Sequence, residues 1–301
     1  YALDITDPDS ITTENHLAAR VLWEFPENVD AWVLDDLGYS YSVPAIVKSN
    51  DADRWIVIFG NGYNSVNGHS VLFILDAVTG ALLKRIDTGV GACNGLSSPV
   101  AIDVTEDNRV DFVYAGDLKG NMWKFDLTGS ASDWKIAFSD GTDPQPLFQA
   151  KDGFNPQPIT AKPDVMMHCS DTGMVAGFGT RRCLWKYDFT DQSLQTVYGI
   201  LDTSHNEDSG EYLGAFERGS VPELSNQPDS VTLLPQTEIQ GAFFADTGQQ
   251  LRVLSNNVPN WELTDTDPNG IGTHGDPLDH AGWYFDLPMV GERVPSNVII
   301  R

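Results

Sequence analysis

The chain has 301 residues, 41% of them hydrophobic and 20% charged, which is the balance of a folded globular protein and not of a disordered one. A net charge of −25 at pH 7 excludes nucleic acid and anionic lipid surfaces as direct partners, because both would be repelled. No apolar run approaches the ~20 residues that a membrane-spanning helix needs.

The first residue is Tyr1, without a Met or a leader peptide before it, as expected for a piece of a longer protein. A short helix is expected over residues 11–21, where Thr12 or Thr13 supplies the cap. Strand signals then dominate. Residues 45–47, 55–59, 71–75, 110–115 and 122–125 are rich in β-branched and aromatic side chains, and each run lies close to Gly, Asn, Asp or Pro. Two stretches repeat one pattern: residues 71–80 end in Asp76-Ala77-Val78-Thr79-Gly80, and residues 113–120 end in Asp117-Leu118-Lys119-Gly120. Each is a strand that reaches an Asp, turns at a Gly and is followed by a second strand, over 82–86 and 121–125. A third stretch, 175–180, lacks that turn, but Leu184-Trp185-Lys186-Tyr187-Asp188 echoes Met122-Trp123-Lys124-Phe125-Asp126. The first two repeats lie roughly 40 residues apart, a spacing typical of propeller blades. The expected fold is therefore all-β, a modified β-propeller with long irregular loops occupying residues 1–301 as a single domain, with a β-sandwich pair as the alternative. Residues 204–210 and 264–279 are polar and strandless and read as long surface loops.

Cys93, Cys169 and Cys183 show no CxxC and no zinc spacing. A Cys169–Cys183 bridge suits an oxidising compartment, and unpaired buried thiols fit the spacing as well. The six His show no HExxH pattern, and neither GxSxG nor a phosphate-binding Gly loop is present, so no catalytic site is expected. His168 beside Cys169 does not make a thiol–imidazole pair, since neighbours in a strand point to opposite faces.

The motif that carries chemistry is Asp103-Val104-Thr105-Glu106-Asp107-Asn108-Arg109-Val110-Asp111. Oxygen-bearing groups fall at positions 1, 3, 5 and 9 of a calcium loop, and position 7 donates a backbone carbonyl. The expected ligands for Ca2+ are Asp103, Thr105, Asp107, the Arg109 carbonyl and Asp111, with the Arg109 guanidinium facing water. Position 6 needs a left-handed backbone, which Asn108 tolerates better than most residues. Tyr114 stands where an EF-hand has its closing Glu, and the flanking runs are strands, so this is a shorter loop in a β setting. Three carboxylates so close would repel one another without a cation. A weaker candidate, Asp265-x-Asp267-x-Asn269-Gly270 continued by Thr273 and Asp276, is interrupted by Pro268 and reads as a loop.

From residue 103 to residue 127 the sequence resembles the PilY family: an aspartate-rich loop runs into Val113-Tyr114-Ala115-Gly116-Asp117-Leu118-x-Gly120-Asn121-x-Trp123-Lys124-Phe125-Asp126-Leu127. Family-like pieces lie in order on either side, including Phe59-Gly60-Asn61-Gly62-Tyr63, Asn94-Gly95-Leu96-Ser97, Tyr198-Gly199-Ile200 and Gly282-Trp283-Tyr284-Phe285-Asp286-Leu287-Pro288. The resemblance implies a modified seven-bladed propeller at the C-terminus of a larger secreted protein, placed extracellularly at the cell surface or pilus tip (fimbrium). It implies a non-enzymatic role in type IV pilus biogenesis and twitching motility, in which a calcium loop matching residues 103–111 controls pilus extension against retraction. Minor pilins or the pilus tip are the implied partners, and adhesion to host or surface ligands is implied for an N-terminal region outside these residues. Two departures stand out: Arg181-Arg182-Cys183 follows Gly179-Thr180 where the family has Gly, and Thr105 stands where it prefers Asp or Asn. The competing readings are a quinoprotein dehydrogenase, which the 75–80 repeat also resembles but whose adjacent Cys pair is missing, and a calcium-stabilised adhesive propeller without a regulatory role.

Overall fold

Short strands account for nearly all regular structure in the computed structural model, which describes residues 1–27, 29–139, 143–153, 155–168, 173–182, 186–202, 216–217, 232–244, 249–259, 261, 280–294 and 297–300. The chain divides into two units, one formed by Tyr1–Val113 with Phe125–Ala137 and the other by Tyr114–Lys124 with Phe138–Arg301.

In the first unit, Ala45–Lys48, Trp55–Gly60, Val71–Asp76 and Leu82–Asp87 form a four-stranded antiparallel meander in sequence order. This arrangement is that of a propeller blade. The apolar run at the start of the third strand is covered on both faces, and Val71 through Leu75 are each at most 1% exposed. Phe73 stacks on Phe59 at 5.6 Å and meets Phe25 at 5.8 Å between ring centroids. Burying one such side chain contributes about 1.5–3 kcal/mol. The turn after this strand is fixed by Asp76, whose Oδ1 accepts from the Val78 and Thr79 N–H groups at 2.9 Å each. Gly80 closes it with φ +70°, and a Cβ there would run into the Trp23 ring.

The expected helix is observed over Glu14–Ala18, capped by the Thr13 hydroxyl accepting from the His16 N–H. A second helix, Ala31–Asp36, has no counterpart in the sequence reading. It inserts Val33 into the core and buries Asp36, which is held by Asn67 and by Arg85.

In the second unit, Asp164–Met167, Met174–Gly179, Thr196–Asp202 and His280–Asp286 are successive antiparallel neighbours, and Thr232–Gln236 lies parallel to the last. Gly199 pairs with Trp283 across the ladder, and only a residue without Cβ lets the indole lie over it. Phe148, Phe178 and Tyr198 pack together below. Beside them Lys124 is buried: its Nζ lies 2.7 Å from Asp202 Oδ2, and the Tyr114 hydroxyl donates to the same oxygen at 2.6 Å. Burial, reinforced by the Asp202 charge, pushes the Tyr114 phenol well above its ordinary range, so it stays a donor.

One sequence expectation is corrected. The stretch expected to echo 122–126 as a strand is, where described, a 3-10 helix over Lys186–Thr190. The Met174–Gly179 strand pairs onward with Thr196–Asp202. Asp188 is held by the Arg182 guanidinium. Cys169, Cys183, residues 204–210 and the Asp265 loop lie outside the described residues. Cys93 is a free, exposed thiol.

Candidate metal centre

Residues 103–111 connect the Val100–Ile102 strand to Phe112–Gly116, and the Asp111 N–H donates to the Ile102 carbonyl at 2.9 Å to close the loop at its base. A second tie runs from the Val110 N–H to the Lys48 carbonyl, also at 2.9 Å. The loop therefore leans on the turn between the first two strands of the meander. Asn108 has φ +67°, as the loop position requires, and Glu106 is left-handed as well at φ +59°.

Asp111 is 4% exposed. Its Oδ2 accepts from Val104 N at 2.8 Å, Thr105 N at 3.0 Å and Thr105 Oγ1 at 3.1 Å, and its Oδ1 from Asn50 Nδ2 at 3.4 Å. All these donors are neutral, so a buried carboxylate is solvated by dipoles alone. Asp103 accepts from Asn108 N at 2.7 Å and Asp107 N at 3.3 Å, with Thr105 Oγ1 at 3.4 Å. The Thr105 hydroxyl thus lies between two carboxylates yet has one proton to give. Asp103, Thr105 and Asp111 are brought together.

Asp107 is not. Its Oδ2 pairs with Arg109 Nη1 at 2.7 Å, and its Oδ1 takes the Arg109 N–H at 2.9 Å. The Arg109 side chain also reaches Asp53 Oδ1, with Nε and Nη2 each at 3.1 Å, and the Lys48 ammonium holds Asp53 Oδ2 at 3.2 Å. Hydrogen bonding from Arg109 holds the Asp107 carboxyl below its ordinary value, and Lys48, then Arg109, do the same for Asp53. This corrects the expectation that the guanidinium faces water: an acidic field on both sides draws it in. Backbone N–H groups and Arg109 also offset part of the expected repulsion among the carboxylates. Among the described residues, no three His, Cys, Asp or Glu side chains are grouped as metal ligands. The donor chemistry nevertheless fits a hard cation: three carboxylates, a hydroxyl and the Arg109 carbonyl, which accepts no hydrogen bond among the described residues. Sequence reasoning missed Lys48, Asn50 and Asp53. Their signal is the polar turn Lys48-Ser49-Asn50-Asp51-Ala52-Asp53, in which Ala52 and Asp53 are both left-handed.

Elsewhere, His168 packs against Trp261 with ring centroids 5.0 Å apart. No helix among the described residues is long and apolar enough to cross a membrane.

Blade-like antiparallel sheets with Asp-anchored turns, and an oxygen-rich loop set between two strands, define an all-β propeller domain with a candidate cation site. The chain belongs to the PilY1 β-propeller domain family, whose model matches residues 1–233. It is 33% identical over 319 residues to the type IV pilus biogenesis factor PilY1 of Pseudomonas aeruginosa, covering 100% of this chain and 24% of that protein. With a PilY1 homolog of Xylella fastidiosa it shares 38% identity over 307 residues, 97% of this chain and 18% of that one. The chain thus spans about a quarter or less of the curated relatives it matches. The crystal structure of the P. aeruginosa PilY1 C-terminal domain superposes with a TM-score of 0.74 at 32% identity, over 99% of this chain and 58% of that one.

Proposed function

We propose that residues 1–301 act as one calcium-binding propeller domain of a type IV pilus biogenesis factor, regulating pilus extension and retraction rather than catalysing a reaction. The observation that carries this is Asp111, a buried carboxylate with only neutral donors, at the closing position of a loop that supplies Asp103, Thr105, Asp107 and the Arg109 carbonyl. Calcium suits these ligands better than magnesium, which demands near-octahedral geometry and keeps its waters. When bound, the ion supplies the positive charge that the loop's carboxylates otherwise draw from N–H dipoles and Arg109.

The relatives are named as biogenesis factors, which supports the pilus context, and none of those names is that of an enzyme. In this reading the domain works outside the cell, at the cell surface or pilus tip. Its partners there are minor pilins, and adhesive contacts belong to other regions of a longer protein. Isothermal titration of the chain with calcium chloride should show one site, absent in Asp107→Ala and Asp111→Ala. Binding unchanged in both variants would remove the loop as the site. In the host, the same substitutions should alter twitching or surface piliation, and unchanged piliation would remove the regulatory role.

A further inference from the structure

The loop brings its own cation. Arg109 spans two carboxylates with different futures: Asp107, a proposed calcium ligand, and Asp53, which lies outside the loop on the 49–54 turn. While Asp107 Oδ2 sits 2.7 Å from Arg109 Nη1 it is a weaker ligand for a metal ion, because part of its lone-pair density already carries a charge-assisted hydrogen bond. An ion and a guanidinium also repel each other across the ~4–6 Å that one shared carboxylate allows. Calcium binding is therefore favoured when Arg109 lets go of Asp107.

Asp53 is already in contact and can keep the guanidinium when it does. The Arg109 side chain reaches Asp53 Oδ1 through both Nε and Nη2, whereas Asp107 Oδ2 has Nη1 alone. Lys48 holds the other oxygen of Asp53 and so fixes this carboxylate in place. The side chains of Arg109, Asp107 and Asp53 are 35%, 39% and 52% exposed, so exchange between the two partners needs no repacking of the core.

We propose, on the calcium reading of the loop above, that Arg109 is an internal competitor for the ion and Asp53 is its off-site acceptor. The pair sets calcium affinity by deciding where the guanidinium rests. Exposed ion pairs are weak, so the competition tunes affinity instead of blocking the site.

The test is titration of the whole chain with calcium chloride at fixed ionic strength. Arg109→Gln removes the competitor and should tighten binding about two- to fivefold. Arg109→Lys keeps the charge but cannot bridge both carboxylates, and it should tighten binding in the same direction. Asp53→Asn leaves the guanidinium only Asp107 and should weaken binding by a similar factor. That loss should vanish when Asp53→Asn is made in the Arg109→Gln chain, because no competitor is left to redirect. Circular dichroism of each variant reports that the fold is kept. Arg109→Lys binding like the unsubstituted chain, or Asp53→Asn weakening binding equally in both backgrounds, would show a general field effect and overturn the competitor. Absence of any calcium binding by the unsubstituted chain would overturn the calcium reading, and this proposal with it.

Discussion

Asp111 accepts three hydrogen bonds on Oδ2 alone, from Val104 N, Thr105 N and Thr105 Oγ1, so replacing it by Ala and by Asn should have different consequences. Ala leaves those donors without the buried acceptor they share, at a cost of about 1–3 kcal/mol. Asn keeps an acceptor oxygen of the same reach and removes the charge. We expect Asp111→Asn to abolish calcium binding while the ion-free unfolding midpoint in urea stays close to that of the parent, and Asp111→Ala to lower the midpoint. Equal destabilisation by both would show that the charge itself holds the loop. Lys124 makes the opposite case. Both its side chain and that of Asp202 are 1% exposed, and the ammonium also lies 5.7 Å from the Tyr114 ring and 5.5 Å from that of Phe138. Lys124→Ala removes the ammonium beside the buried Asp202 charge and should cost about 3–5 kcal/mol, whereas Lys124→Met with Asp202→Leu should recover much of that loss. Urea unfolding of the three chains measures both. A small loss in the single variant would mean that water, or the donors already on Asp202 such as the Tyr114 hydroxyl, suffice to hold its charge.

At the scale of the element, the Val71–Asp76 and Leu82–Asp87 hairpin has an acid limit written into its ends. Burial would raise the Asp76 carboxyl, but the Thr79 and Val78 N–H groups and Arg54 outweigh it and leave it below its ordinary value of 3.8. At Asp87 burial is likewise outweighed, by the Gly89 N–H, His69 and Arg85. A carboxyl depressed on folding contributes stability that is complete above its unfolded value and is lost as pH falls through its folded value. For both groups that window lies below 3.8. The stability gap between the parent and Asp76→Asn should therefore be full at neutral pH and close as pH drops below that value, as read by urea unfolding at each pH. A gap that persists in strong acid would place the effect in the turn's shape instead of its charge. These elements also show what the sequence made legible. The strands were readable because β-branched and aromatic runs end at Asp and Gly turn signals, and the calcium-type spacing and left-handed Asn108 were readable because they are local. The Ala31–Asp36 helix was not, since six residues with Trp32 and Leu34 exposed show no helical period. Nor were Asn50 and Asp53, which meet the loop across 61 and 56 residues. The run 184–188 copies the residue types of 122–126, yet its described part, from Lys186, belongs to a 3-10 helix, because residue type alone does not fix the backbone.

For the molecule as a whole, the question is whether calcium would hold the fold or change one part of it. The sheets have their own cores: Val71–Asp76 is buried through its apolar residues, and Phe148, Phe178 and Tyr198 pack on one another in the second unit. The loop, in contrast, is held by hydrogen bonds to Asp103 and Asp111 and by its ties to Lys48, Asn50 and Asp53. With 43 acidic against 18 basic residues, many carboxylates attract cations loosely, but among the described residues it is this loop that places oxygen donors at calcium spacing around a buried carboxylate. Bound calcium should accordingly slow amide exchange over residues 103–111 and in the 49–54 turn that shares Arg109 with them. Exchange in the 71–76 and 196–202 strands should stay unchanged. Hydrogen–deuterium exchange with and without calcium chloride measures this directly, and Asp111→Ala should erase the difference while leaving the far-ultraviolet circular dichroism spectrum intact. In the host, that variant should change twitching without lowering the amount of the protein at the surface. Should calcium instead protect the strands of both units, or Asp111→Ala unfold the chain, the ion is structural and the loop has no free state from which to signal.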